Sequence, residues 1–202
     1  GSISLIALAV TIGVVVVIKR IKNKGLDKRK VDKNKNYIIG DSQTPFLDQN
    51  SERALRINNT GSPTSLWKGG INLNWLKDSV ANYPISEDVN TIVVNIGTNG
   101  KFNKNDDVSG LISTIKGKFP NANLLAVKGS WGWGGNKDVT TDLVNNYYKR
   151  FDDNGVDVID VAIGSVKDPH SNLPIYKEIG KIIDQKINKN DYSTKNSSNS
   201  TR

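Results

Sequence analysis

The sequence predicts an α/β domain in which a mainly parallel, five-stranded sheet carries helices on both faces, a three-layer α/β/α arrangement. Two observations predict it. Short runs rich in β-branched residues recur between positions 37 and 188, and stretches with the 3.6-residue spacing of amphipathic helices fall between them. Three of the strand readings are also followed by tight polar clusters, at the edge where such sheets place their sites.

The elements follow in order. Tyr37-Ile38-Ile39 reads as the first strand and residues 54–57 as the second. Thr91-Ile92-Val93-Val94-Asn95-Ile96 is a β-branched run and the third, residues 123–127 the fourth, and residues 156–161 the last. Leu73, Leu76 and Val80 share one helical face, in a helix stopped by Pro84. Val108, Leu111, Ile112, Ile115 and Phe119 share a second face. Val139, Leu143, Val144, Tyr147 and Phe151 share a third, and Ile175, Ile179, Ile182, Ile183 and Ile187 a fourth. No internal repeat is present.

Composition removes several function classes. The 202 residues include no cysteine and one histidine, His170. Disulfides, thiolate metal sites, cysteine nucleophiles and multi-histidine metal sites are therefore excluded, and any neutral-pH imidazole base is His170. No cofactor motif is found. The net charge of +8 resembles a nucleic-acid footprint until it is located. Residues 19–36 hold nine basic side chains against two acidic ones, and residues 189–202 hold three against one. The intervening 37–188 are close to neutral, so the basicity belongs to the flanks and specific nucleic-acid binding is disfavoured.

Residues 3–18 form an uncharged run of sixteen residues. As a helix it spans ~24 Å, somewhat under the ~30 Å of a bilayer core. Lys19 and Arg20 can snorkel from its end. A cleaved signal peptide would carry its positive charge ahead of the run, whereas here the charge follows it. The expected organisation is a single-pass transmembrane anchor (1–18), a basic juxtamembrane linker (19–36), a folded domain (37–188) and a disordered polar tail (189–202). The lipid bilayer, bacterial or of a virus particle, is thus an expected partner.

Three polar clusters follow strand readings: Gly40-Asp41-Ser42 after the first, Gly97-Thr98-Asn99-Gly100 after the third, and Asp168-Pro169-His170 between the last strand and the final helix. Singly, each also reads as a turn or a helix cap. Together they converge on one edge. In that combination the chain resembles the SGNH, or GDSL-type, hydrolases across residues 37–188, and the fold expectation becomes SGNH-like or flavodoxin-like.

The resemblance implies that Ser42 is a nucleophile, His170 its base and Asp168 the acid orienting His170. It also implies an oxyanion hole built from Ser42, Gly61 and Asn99, with Gly69 or Gly70 as substitutes for Gly61. The family separates its Asp and His by two residues, and here only Pro169 intervenes. Asp160 or a backbone carbonyl is the alternative orienting group.

The chemistry of the residues agrees with that assignment. A serine hydroxyl needs an adjacent base to become a nucleophile, and the tetrahedral intermediate needs donors already in place. The glycine-rich loop Gly129-Ser130-Trp131-Gly132-Trp133-Gly134-Gly135 is expected on the same edge, with Trp131 and Trp133 as candidate substrate-binding rings. The expectation is a membrane-anchored serine esterase acting on a short acyl ester of a glycan. A lipid or lysophospholipid ester, or a catalytically degenerate SGNH-fold structural or binding protein of a membrane or virion, is the alternative.

Overall fold

Five short strands lie in one sheet in the order β2-β1-β3-β4-β5, with every neighbouring pair parallel. This is the architecture in a computed structural model, which describes residues 35–57, 65–132, 138–161, 168–171 and 173–199. The strands are β1 (Asn36–Gly40), β2 (Leu55–Arg56), β3 (Thr91–Asn95), β4 (Asn123–Val127) and β5 (Asp157–Ile159). Among the described residues there are five helices: α1 (Thr44–Asn50), α2 (Leu73–Ala81), α3 (Val108–Lys118), α4 (Thr141–Asp153) and α5 (Pro174–Asn199).

Alternation along the strands divides the core in two. Ile39, Ile92, Val94 and Ala126 face one side and pack with the buried stripes of α2, α3 and α4. Ile38, Val93, Leu125, Val127 and Ile159 face the other and pack with Leu47 of α1 and Tyr176, Ile179, Ile183 and Ile187 of α5. The period of two in the strands and 3.6 in the helices thus produces the two apolar layers on opposite faces of one sheet.

Local chemistry starts most of the helices. The side chains of Asn72, Asp107 and Thr140 accept the backbone N–H groups of Trp75, Gly110 and Leu143, capping α2, α3 and α4. α1 has no side-chain cap and carries proline in its first turn. Asp184 of α5 accepts from Ser51 Oγ and from the N–H groups of Glu52 and Arg53, tying α5 to the chain leaving α1.

Three differences from the sequence reading are informative. β2 shrinks to two residues at the sheet edge, where one neighbour supplies all its pairing. α1 carries too few residues for its periodicity to register in the sequence. α5 runs to Asn199 and takes in most of the segment expected as a disordered tail. No proline or glycine follows Gly180, so nothing in the chain interrupts helix propagation from a packed start. The anchor at 1–18 and all but the last two residues of the 19–36 linker lie outside the described residues. Among the described residues no helix is long and apolar enough to cross a membrane.

The strand order places the site. From β1 the chain moves outward to β2 and then returns to the other side of β1 as β3, leaving a crevice at the carboxyl ends of β1 and β3. Gly40 sits there opposite Asn95 with φ +143°, and a Cβ on it would stand 1.9 Å from the Asn95 carbonyl oxygen. Gly40→Ala is expected to destabilise the fold by more than ~3 kcal/mol. Gly117→Ala, on the exposed face of α3 with nothing near the added methyl, is expected to stabilise it by up to ~1 kcal/mol. Urea denaturation of the two variants beside the wild type checks both signs.

Candidate active site

Ser42 leaves the end of β1 directly before α1. The N-cap of that helix is Gln43, so the Ser42 hydroxyl is not spent on capping. It lies 2.8 Å from Nε2 of His170, a partner 128 positions away in the chain. With Ser42 as donor, Nε2 is the unprotonated nitrogen and Nδ1 carries the imidazole hydrogen.

Asp168 holds His170 in two unequal ways. Its Oδ1 accepts the His170 backbone N–H at 2.8 Å and lies 3.4 Å from Nδ1. The shorter contact is to the main chain, so the carboxylate anchors the His170 backbone before it orients the ring. Asp160, the alternative acid, is bonded by the Lys128 ammonium at 3.1 Å. The His170 and Asp168 side chains are 38% and 59% exposed, so solvent reaches both.

Asn99 follows β3 by way of Gly97, whose φ is +92° and whose Cα faces the Tyr147 ring so closely that a Cβ would meet it at 2.7 Å. The Asn99 Nδ2 group donates to the Ile71 carbonyl at 3.1 Å and makes a long contact of 3.4 Å to Asp41 Oδ2. Its Oδ1 accepts the Lys101 N–H. Both amide hydrogens thus face protein acceptors, one of them loosely.

Gly61 lies outside the described residues. Residues 65–68 return alongside the end of β1: Gly40 N–H donates to the Leu66 carbonyl and Lys68 N–H to the Gly40 carbonyl. This brings Gly69 beside the serine, where a Cβ would stand 3.7 Å from Ser42 Cβ. Ser42, Gly69, Gly70, Asn99, Lys101, Asp138 and His170 line one half-open cavity of about 490 Å³, with Asp41, Gln43 and Thr98 at its floor.

Trp131 does not line this cavity. It is 3% exposed, within the core, with the Lys128 ammonium 5.2 Å from its ring centre. The glycine-rich loop turns this ring inward as packing. Trp133 lies outside the described residues. Among the described residues no group of three or more His, Cys, Asp or Glu side chains is placed to hold a metal ion.

Under Ser42 lies a polar floor centred on Gln43, a residue that no sequence pattern marked. Gln43 Nε2 donates to Thr98 Oγ1 and to the Ser130 carbonyl, while its Oε1 accepts the Ser130 N–H. Asp41, 1% exposed, accepts from the Gln43 N–H at 3.1 Å and from Asn95 Nδ2 at 3.4 Å. Burial raises its carboxyl from 3.8 to about 6, against the lowering effect of the hydrogen bonds from Gln43 and Asn99. A tyrosine at 176 fits the helical stripe of 179, 183 and 187 as well as isoleucine at 175 does, so that signal was present but ambiguous.

No protein-family model matches the chain, and no curated protein matches it. The site therefore rests on its own geometry.

Asp41 gives a signed pH dependence. Its folded-state pKa is raised, so the native state holds the proton more tightly than the unfolded chain does. The carboxyl then costs stability as pH rises from 3.8 to about 6, on the order of 3 kcal/mol in total. Across pH 4 to 7 the wild type should lose stability relative to Asp41→Asn by an amount of that order. Thermal melts of both proteins over that range measure it, and a constant gap contradicts the assignment.

Proposed function

We propose that the chain is an SGNH-type serine ester hydrolase, tethered to a bilayer by residues 1–18, that removes a short acyl group from a polar alcohol such as a glycan hydroxyl. The observation that carries the reading is the 2.8 Å approach of Ser42 Oγ to His170 Nε2 at the mouth of a crevice lined by Asn99 and three glycines.

In this reading Ser42 Oγ attacks the ester carbonyl as its proton passes to His170 Nε2. The negative charge formed on the carbonyl oxygen is met by the N–H groups of Ser42 and Gly69 and by the Asn99 amide, which exchanges its loose 3.4 Å contact to Asp41 for the oxyanion. Collapse breaks the bond to the alcohol, which leaves with the proton from His170. Water, deprotonated by the same imidazole, then releases the acyl group from Ser42 as the carboxylic acid. Asp168 supports the imidazolium from Nδ1.

The lining favours a short acyl group and a polar alcohol over a lipid. Pro169 is the one hydrocarbon side chain among the described residues around the cavity, while Lys101, Asp138, Thr98 and Asn99 present polar groups. Trp131, in the core, offers no ring to the substrate. The second reading, a binding module that retains the fold and not the activity, is favoured by the engagement of both Asn99 amide hydrogens and by the 3.4 Å separation of Asp168 from Nδ1.

Intact-mass analysis of the full chain after treatment with a fluorophosphonate probe separates the readings. A single adduct on the wild type, missing from Ser42→Ala and His170→Ala, is expected of the hydrolase. Asn99→Ala should then lower ester turnover by ~10²–10³ without unfolding the protein. A folded wild type that takes no adduct contradicts the hydrolase and leaves the binding module.

A further inference from the structure

We infer that Tyr176 is a positioning residue for His170: its hydroxyl clamps the Pro169–His170 peptide to the polar floor under Ser42, in place of a longer Asp-to-His spacing. The inference rests on the reading of His170 as the base.

The peptide unit that delivers His170 is held at both of its polar atoms. Tyr176 Oη donates to the Pro169 carbonyl oxygen at 2.6 Å, and Asp168 Oδ1 accepts the His170 N–H at 2.8 Å. A peptide is planar, so fixing its oxygen and its N–H fixes the plane from which the His170 Cα–Cβ bond departs. Asp168 alone, on a half-exposed side chain, would leave that plane free to rock about one hydrogen bond.

The other side of Tyr176 is fixed to the nucleophile. Its single hydrogen is shared with a second acceptor, Gln43 Oε1 at 3.0 Å, and Gln43 follows Ser42 in the chain. Gln43 is itself immobilised by Thr98 and by both backbone groups of Ser130. The Tyr176 ring stacks on Phe46 of α1 at 5.2 Å and is fully buried in the first turn of α5. The segment carrying the nucleophile and the segment carrying the base therefore meet at one phenol oxygen.

A core position needs no hydroxyl. The same stripe of α5 continues with Ile179, Ile183 and Ile187, and a buried hydroxyl is destabilising unless it is hydrogen-bonded. Burial pushes the phenol well above its ordinary range, so Tyr176 remains a donor throughout the pH range in which an imidazole base works. Aspartate at 168 serves the same peptide from the other side, which explains why its closest contact is to the main chain.

Tyr176→Phe keeps the ring, the stacking and the volume and removes the clamp. Two readouts on the full-length protein test it: the saturation kinetics of Ser42 labelling by the fluorophosphonate, and hydrogen exchange at the His170 amide. The expected result is a maximal labelling rate lowered about tenfold or more, an unchanged half-saturating probe concentration, and faster exchange at His170. Tyr147→Phe, which loses a hydroxyl bonded to Asp106, is the control and should leave both readouts at wild-type values.

Wild-type labelling kinetics together with wild-type His170 exchange in Tyr176→Phe would overturn the inference. If the wild type itself takes no label, the hydrolase reading fails, and the exchange rate alone decides the clamp. Unchanged exchange then rejects it and accelerated exchange retains it as the device that shapes the site.

Discussion

The approach of β1 to β3 at Gly40 and Asn95 is the constraint on which the site depends. Gly40 turns out of the sheet with its Cα against the Asn95 carbonyl, and the next residue, Asp41, donates its N–H to that same oxygen. A turn closed by the Thr44 N–H on the Asp41 carbonyl then leads into α1. Ser42 is thereby left at the lip of the crevice and Asp41 beneath it. Because β3 is in register with β1, the residues that follow Asn95 rise on the opposite wall, and Asn99 arrives beside Asp41. A side chain at position 40 would separate these walls, and both halves of the site would move together.

Below that seam the protein does something poorly suited to stability. Asp41, Gln43, Thr98 and Ser130 are buried at the carboxyl end of a sheet whose centre is mostly Ile, Val, Leu and Ala. The Asp41, Gln43 and Thr98 side chains and the Ser130 backbone are hydrogen-bonded there, and a buried carboxyl is held in its charged form only against desolvation. The compensation is geometric. A connected polar floor has few alternative arrangements, whereas an apolar one would let Ser42 and the 168–170 turn settle independently. Gln43 shows the principle most clearly, since its amide pairs with both backbone groups of Ser130 and so joins the ends of β1 and β4.

Much of this was legible in the sequence, for identifiable reasons. β3 and β4 were readable because long β-branched or apolar runs sit between polar breaks, and α2, α3 and α4 because their apolar spacing is regular. That Ser42, Asn99 and His170 would share one edge was readable because they lie in short polar clusters after strand readings in a chain with a single histidine. Trp131 was misplaced, since loop composition says that a ring can face a ligand but not which way it turns. The meeting of Gln43 with Thr98 and with Tyr176, and of Gly69 with Ser42, was hidden because each is a contact between segments distant in the chain. Charge was readable in the opposite sense: a basic pI that vanishes once the flanks are set aside.

With only one histidine in the chain, the central pairing can be observed without interference from any other imidazole. A long-range ¹H–¹⁵N correlation spectrum of the full-length protein, recorded where the ring is neutral, reports which nitrogen carries the hydrogen. The account predicts hydrogen on Nδ1 and a bare Nε2 whose resonance shifts when Ser42 is replaced by alanine. Hydrogen on Nε2, or a spectrum indifferent to Ser42→Ala, would mean that the serine and the imidazole are neighbours and not a catalytic pair.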